Sequence, residues 1–342
     1  MTLNCICQSL ARVHILLALS FTACGSSNKP PESANEIVPL DEKSDKNTEP
    51  SSSAGSHDPT PEVSRAMKAI EAKQFAEAKE LLTKSVAANS NDVLAHYYLG
   101  VACGGLGDDT GAAASFKRAI ELDKKFAEAY VNLSALQLDL KDAAGAFATA
   151  EAGLKNVKNA DLYLNRAIAL EALGKKEESI AAYGAAVQNM PENLSLRVTY
   201  AQLLVASGKK DEALTQIRHV RESDDTKLLA IAAIVSRQLE AYADCVAILD
   251  RAISMKDIAA LRVRRGMCRE DLKDSAGAKT DYERAISMDA KFAPAHFYYG
   301  VMLQKAKEQK KACTELALAA ELGGTQGIGP QAKKASTDLG CH

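Results

Sequence analysis

The sequence predicts an all-α protein, an α-solenoid in which one helix-turn-helix unit repeats along most of the chain. Two observations predict it: small residues recur about every 34 positions, and turn-forming glycines recur between segments of helical periodicity. The composition agrees, since 47% of the 342 residues are hydrophobic, only 5% are aromatic and tryptophan is absent. Chains rich in alanine and poor in aromatic residues favour closely packed helices over a β-sandwich.

The first 23 residues have the organisation of an export signal. Arg12 precedes a short apolar run from Val13 to Phe21. That run is too short to span a bilayer, which takes about 20 residues, but it has the length of a signal-peptide core. It leads into the sequence FTAC, which ends at Cys24 and resembles a bacterial lipobox, although Phe21 stands where leucine is usual. The resemblance implies lipidation of Cys24; the alternatives are a plain secretory signal or a misassigned start codon.

Residues 24–58 are predicted to form a disordered tether. They are rich in Ser, Pro, Asp, Glu and Lys and contain few large apolar side chains, so they cannot bury enough surface to offset their conformational entropy. Glycine follows Cys24, which resembles lipoproteins sorted to the outer membrane. We therefore expect a lipid-anchored protein of the bacterial cell envelope that faces the periplasm, with the tether holding its folded part away from the membrane.

From residue 59 onward the chain is periodic. A small residue recurs in the middle of one helix of each unit, at Ala66, Gly100, Ser134, Ala167, Ala201, Ala233, Gly266 and Gly300. A second small residue follows about 12 positions later, and a larger side chain such as Phe116 or Tyr183 follows that one. Antiparallel helices approach closely where small side chains meet, and each pair leaves an apolar face that the next pair must cover.

These spacings match the tetratricopeptide repeat (TPR). The signature positions are best filled in residues 160–193, by Tyr163, Ala167, Leu170, Gly174, Ser179, Tyr183, Ala186 and Pro191. The resemblance covers residues 59–324 and implies a right-handed superhelix of about eight units, at 59–92, 93–126, 127–159, 160–193, 194–225, 226–258, 259–292 and 293–324. The sixth unit is the weakest, with Glu240 where a turn glycine is usual. A capping helix, from about Pro330 to Leu339 within 325–342, is expected to cover the last unit.

The resemblance also implies a binding groove, because the first helix of each TPR unit lines the concave face. The groove positions are apolar, at Val63, Met67, Tyr97, Val101, Val131, Leu164, Ile168, Val198, Val263, Met267, Phe297 and Val301. TPR domains that clamp a carboxylate use Lys or Arg with Asn there, and these positions hold none of them. We therefore expect a protein or peptide partner that presents an apolar helix or strand. An acidic rim is expected at Asp139, Glu171, Glu270 and Asp271. Alternatively, some of the apolar side chains pack against the neighbouring unit.

Five cysteines lie beyond the lipidated one. In the implied helix pairs, Cys245 and Cys268 occupy antiparallel neighbours at a similar level, and Cys341 ends a helix that runs back along the helix of Cys313. Two disulfides, Cys245–Cys268 and Cys313–Cys341, are therefore predicted for an oxidising compartment. The alternative is that each is a small core residue, as expected for Cys103.

The sequence gives no sign of catalytic chemistry. It contains no phosphate-binding loop, no nucleophile elbow and no HExxH, and no histidine stands at metal-ligand spacing from another histidine or a cysteine pair. The net charge is -2 without a basic block, so we expect no nucleic-acid partner, and no cofactor, metal or small-molecule substrate is predicted. A non-catalytic scaffold or assembly factor is the leading interpretation. The alternatives are a cytoplasmic adaptor or co-chaperone with a misassigned start, and a regulatory region associated with an enzyme.

Overall fold

The computed structural model describes residues 58–325 and 327–341, and every regular element among them is an α-helix. The predicted signal peptide, Cys24 and nearly all of the tether lie outside the described residues. The described chain falls into two units, unit 1 ending at Pro191 and unit 2 beginning at Glu192. The predicted class, an all-α solenoid, is confirmed.

Unit 1 consists of four helix pairs: α1 (Pro61–Glu71), α2 (Phe75–Ala88), α3 (Val93–Gly105), α4 (Asp109–Leu122), α5 (Ala127–Asp139), α6 (Ala143–Asn156), α7 (Ala160–Ala172) and α8 (Lys176–Asn189). Unit 2 consists of four pairs and a last helix: α9 (Leu194–Ala206), α10 (Lys210–Val220), α11 (Thr226–Gln238), α12 (Tyr242–Met255), α13 (Ala259–Asp271), α14 (Ser275–Met288), α15 (Ala293–Lys305), α16 (Gln309–Leu322) and α17 (Ile328–Asp338). The odd-numbered helices α1–α15 are the first helices of their pairs.

Short polar turns separate the two helices of each pair. Asp108 and Asp142 are the N-cap residues of α4 and α6, and a carboxylate oxygen of each accepts the backbone N–H three residues ahead at 2.9 Å. Such a cap contributes about 1 kcal/mol to helix stability. At the unit predicted to be weakest, Glu240 takes a left-handed φ of 62°, as glycine does in three of the other turns and lysine in four. The backbone N–H of Ala241 donates to the carbonyl of Ser236 at 2.9 Å, so the turn forms without glycine. The left-handed conformation of a residue with a side chain costs roughly 1 kcal/mol.

The core of unit 1 depends on close approach within each helix pair. A Cβ built at Gly100 in α3 would lie 2.6 Å from the ring of Phe116 in α4, so a side chain there would push the two helices apart. Between pairs, the buried Asn165 of α7 donates to the carbonyl of Val131 at 3.1 Å and to the hydroxyl of Ser134 at 2.9 Å. This amide therefore links α7 to α5 inside the core.

Unit 2 repeats the packing and closes with an extra helix. A Cβ at Gly266 in α13 would lie 2.6 Å from the ring of Tyr282 in α14. Ile328 and Ala332 of α17 are buried in one cluster with Phe297 and Leu316. The helix begins at Ile328, slightly before the expected Pro330, because Ile328 packs into this cluster.

Candidate protein-interaction surface

The twelve side chains predicted to line a groove do not share one environment. Six of them are buried, at Val63, Val101, Val131, Val198, Val263 and Phe297. The other six are partly exposed, at Met67, Tyr97, Leu164 and Ile168 in unit 1 and at Met267 and Val301 in unit 2. Groove lining was predicted for all twelve, and the buried half has no side-chain surface for it.

The buried half serves the core. Val63 and Val101 belong to one cluster of α1–α4, and Phe297 packs against the last helix. A buried side chain offers no surface to a partner, and a charge placed there would destabilise the fold. The alternative that some of these side chains pack against a neighbouring helix pair is correct for them.

The partly exposed half leaves less apolar surface than the sequence implied. Tyr97 packs mainly within unit 1. The centroid of its ring lies 5.1 Å from that of Phe126, and its hydroxyl accepts a hydrogen bond from Asn132 at 2.9 Å. Leu164 and Ile168 lie one turn apart on α7, so they form a continuous apolar patch on that helix.

Exposed leucines at the ends of first helices were not predicted as surface. Leu106, Leu140 and Leu173 follow α3, α5 and α7 and are 47%, 52% and 40% exposed. Each stands just before the left-handed residue of its turn, at Gly107, Lys141 and Gly174. The signal that could have identified them is their repeated position just before the turn.

A cavity of about 300 Å³ opens in unit 1 and was also not predicted. Its apolar lining includes Phe75, Phe116, Leu136 and Leu140, and its polar lining consists of Asp109, Asn132 and Asp139. These side chains come from three different helix pairs, so no local pattern in the sequence marks them as neighbours.

Three of the four residues of the predicted acidic rim have partners. Glu171 accepts the hydroxyl of Tyr183 at 2.7 Å, and Glu270 accepts that of Tyr282 at 2.7 Å. Burial and the adjacent carboxylate raise the pKa of each tyrosine, so both remain neutral donors. Asp271 pairs with Arg237 at 2.6 Å.

Asp139 is the exception. It has no hydrogen bond or ion pair within the part of the chain that the structure describes. Burial, and then the charge of Asp109, raise the pKa of Asp139.

The four cysteines predicted to pair lie in two disulfides of unit 2. Cys245 of α12 is joined to Cys268 of α13, with a Cα–Cα distance of 6.2 Å. Cys313 of α16 is joined to Cys341, just beyond α17, with a Cα–Cα distance of 5.5 Å. Cys103 in unit 1 is a buried free thiol, and burial raises its pKa, which disfavours the reactive thiolate.

Unit 2 also contains an ionic cluster that was not predicted from the sequence. Asp281 of α14 is wholly buried and accepts hydrogen bonds from Arg265 at 2.8 Å and Arg269 at 2.7 Å. Arg265 also pairs with Asp250 of α12 at 2.7 Å. The cluster ties α12, α13 and α14 together, and it appeared in the sequence only as ordinary surface charge.

The hydrogen bonds of His296 indicate a structural role. His296 is buried and makes two hydrogen bonds, to Glu315 at 2.6 Å and to the carbonyl of Ala290 at 3.0 Å. Within residues 58–325 and 327–341, no three His, Cys, Asp or Glu side chains form a group that could hold a metal ion. The helices of those residues are also all too short or too polar to cross a membrane.

Comparison with known proteins points to one family. Three models of the tetratricopeptide repeat match the chain, over residues 64–125, 170–237 and 259–292. Among solved structures, the C-terminal part of a TPR repeat-containing protein from Cytophaga hutchinsonii is 14% identical, with a TM-score of 0.53, and the match covers 81% of this chain and 98% of that one. At this identity the likeness shows the fold alone.

Other solved structures are similar over shorter stretches. A tetratricopeptide repeat protein from Parabacteroides merdae is 18% identical over 71% of this chain and 97% of that one, with a TM-score of 0.41. YrrB, described as a TPR protein with an unusual peptide-binding site, is 22% identical over 53% of this chain and 94% of that one, with a TM-score of 0.43. No curated protein matches the chain.

Proposed function

We propose that this chain, which three tetratricopeptide repeat models match in separate stretches, is a non-catalytic scaffold or assembly factor of that family, exported and anchored by a lipid on Cys24. In this proposal the first helices of a unit bind an apolar helix or strand of a protein partner. Its place is the bacterial cell envelope, facing the periplasm from the outer membrane.

The observation that carries the binding role is the partly exposed apolar face of the first helices. Leu164 and Ile168 of α7 supply it in unit 1, and Met267 of α13 and Val301 of α15 supply it in unit 2. Partner helices and strands are held in such places by side chains that leave water on binding. The mixture of apolar and weakly charged surface favours a protein partner over a nucleic acid.

Export is supported by the cysteines. Disulfides form and persist in oxidising compartments such as the bacterial periplasm. All four cysteines of unit 2 are placed in pairs, whereas the single cysteine of the described part of unit 1 is buried. The leader, with its lipobox-like sequence ending at Cys24, supports the anchor.

Partner binding is tested by changing the partly exposed residues and leaving the buried ones alone. Leu164→Glu with Ile168→Glu places two charges on the α7 face, while Ala181→Glu adds one to an exposed site on α8 as the control. Partners that co-purify with the full-length protein from solubilised membranes should be lost from the first variant and retained by the second. If both variants kept every partner, binding by this face would be wrong.

The lipid anchor is tested separately, with Cys24→Ala. The wild-type chain should incorporate labelled palmitate and fractionate with membranes, and the variant should do neither because it lacks the acceptor thiol. Equal labelling of the two chains would refute lipidation at Cys24. A labelled chain found in the cytoplasm would refute export.

A further inference from the structure

Arg264 of α13 stands among the partly exposed side chains of the first helices in unit 2. Met267 follows it by three residues, so the two side chains lie on one side of α13. On α15, Tyr298 and Val301 have the same spacing, and Tyr298 is close enough to act on the charge of Arg264. All four side chains are partly buried, and we call them the Arg264 face.

Arg264 differs from the other buried or partly buried arginines of unit 2 because it has no bonding partner. Each of the others donates a hydrogen bond to a carboxylate or an amide oxygen, at Arg197, Arg237, Arg251, Arg262, Arg265 and Arg269. Arg264 makes no hydrogen bond or ion pair with any residue that the structure describes. It is therefore the exception among these arginines, being neither fully exposed nor paired.

The acids at the end of α13 do not meet this guanidinium. Glu270 pairs with Lys305 at 3.2 Å, and Asp271 pairs with Arg237 at 2.6 Å. Burial lowers the pKa of Arg264, and no carboxylate among the described residues raises it. The positive charge is thus partly withdrawn from water without a negative charge to offset it.

An unpaired, partly buried guanidinium favours a ligand that supplies a negative charge, because its own desolvation costs free energy. A carboxylate fits this requirement, since its two oxygens can accept parallel hydrogen bonds from the planar guanidinium. A phosphate group carries nearly two negative charges at neutral pH, which a single guanidinium balances only in part. The neighbours Met267 and Val301 are apolar, so the ligand should combine a carboxylate with aliphatic side chains.

We infer that Arg264 binds the carboxylate of an aspartate or glutamate side chain in a protein partner. The inference rests on the proposed scaffold function and names the chemistry of its partner, an apolar segment with one acidic residue that faces α13. Met267 and Val301 contact the aliphatic side chains of that segment, while the guanidinium pairs with the acid. The pair confers specificity, since a segment without the acid would leave Arg264 covered and unpaired.

Three short peptides that differ in one carboxylate test the inference. The full-length protein, labelled with ¹⁵N, is titrated with acetyl-Leu-Ala-Glu-Ala-Leu amide, with the same peptide carrying glutamine, and with the glutamine peptide ending in a free carboxylate. The amide signals of Arg264, Met267, Tyr298 and Val301 are followed. The glutamate peptide should produce saturable shifts, and both glutamine peptides should bind about tenfold more weakly because they lack the side-chain carboxylate.

Substitutions of Arg264 assign the preference to this side chain. Arg264→Gln should weaken binding of the glutamate peptide about tenfold, to the level of the glutamine amide peptide, whose own binding should not change. Arg264→Lys should retain part of the preference, because it keeps the charge but loses the planar donor pair. The matched control, Arg284→Gln, removes an exposed arginine from α14 of the same helix pair and should leave every titration unchanged.

Three results would overturn the inference: equal binding of the glutamate and glutamine amide peptides, absence of saturable shifts, or a glutamate preference that survives Arg264→Gln. Binding of the free-carboxylate peptide as tight as that of the glutamate peptide would overturn the assignment to a side chain, because a chain end would then serve equally well.

The outcome is separable from that of the scaffold proposal. Leu164 and Ile168 belong to unit 1, so Leu164→Glu with Ile168→Glu should leave the glutamate preference intact. Partner retention by that variant would count against the unit 1 face alone. Loss of partners from that variant, together with equal binding of the glutamate and glutamine amide peptides, would count against Arg264 alone.

Discussion

Unit 1 and unit 2 are built from the same helix pair, with a small residue such as Gly100 or Gly266 under a ring of the second helix. They differ in what is added to this packing. Unit 2 contains two disulfides and a buried cluster of arginines around Asp281. In the described part of unit 1 the buried polar links are neutral, such as the amide of Asn165, whereas ion pairs such as Lys79 with Asp108 are partly exposed and two acids at a cavity lack partners. The repeat thus sets the packing, while side chains outside its signature set the cross-linking.

The largest effect that can separate the two units is expected at Asp281. Asp281→Ala removes the wholly buried carboxylate and leaves the buried guanidinium of Arg265 without its main partner. We expect a loss of about 3–5 kcal/mol in the free energy of unfolding, measured by urea denaturation followed by circular dichroism. Asp211→Ala, at an exposed site, should change it by less than about 0.5 kcal/mol. A similar small loss for both variants would show that the cluster is not important for stability.

The disulfides are expected to come next. The bridges join residues 23 and 28 positions apart, and loops of this length correspond to roughly 3 kcal/mol per bridge in the chain-entropy model. Cys313→Ser with Cys341→Ser should therefore speed amide hydrogen exchange in α16 and α17. Cys103→Ala, which removes a thiol without a bridge, should leave exchange in those helices unchanged. Unaltered exchange after loss of both cysteines would contradict a stabilising role.

A smaller effect is expected at the neutral link of unit 1. Asn165→Ala removes two buried hydrogen bonds, to Val131 and Ser134, and should reduce the free energy of unfolding by about 1–2 kcal/mol. Asn189→Ala removes one exposed hydrogen bond to the carbonyl of Ala185 and serves as the control in the same urea experiment. If Asn165→Ala were as damaging as Asp281→Ala, the contrast between neutral and ionic links would be lost.

The smallest effect is expected at Asp139. Burial and Asp109 raise the pKa of Asp139 in the folded state, so the folded chain holds this proton more tightly than the unfolded chain does. Stability therefore falls as the pH rises from about 4, the ordinary value for aspartate, through the raised pKa. Asp139→Asn should have a slightly higher melting temperature than the wild type at pH 7, and the gap should close toward pH 4. A lower melting temperature at pH 7 would mean that the carboxylate has a stabilising partner.

Periodic features were predictable because they depend on spacing along one chain. The phased small residues, from Ala66 to Gly300, predicted the helix pairs, since only such residues let two helices approach closely. The cysteine pairs followed from the same phasing, because antiparallel neighbours place particular positions at one level. The lipobox-like sequence and the tether are expectations about residues outside those described.

The candidate surface was predictable only in part. Position in the repeat identified first-helix residues, but it could not separate the buried Val131 from the partly exposed Ile168. Exposure depends on how much of each side chain the next helix pair covers, and that varies from pair to pair.

The sequence by itself determined the helical repeat, its turns and the positions available for cross-linking, because these follow from local spacing and side-chain size. Only the tertiary structure decided which apolar residues face water, which acids have partners, and that Phe75, Phe116, Asp109 and Asp139 surround one cavity. Those properties depend on side chains far apart in the chain meeting across helix pairs, and neither periodicity nor composition encodes the distance between them.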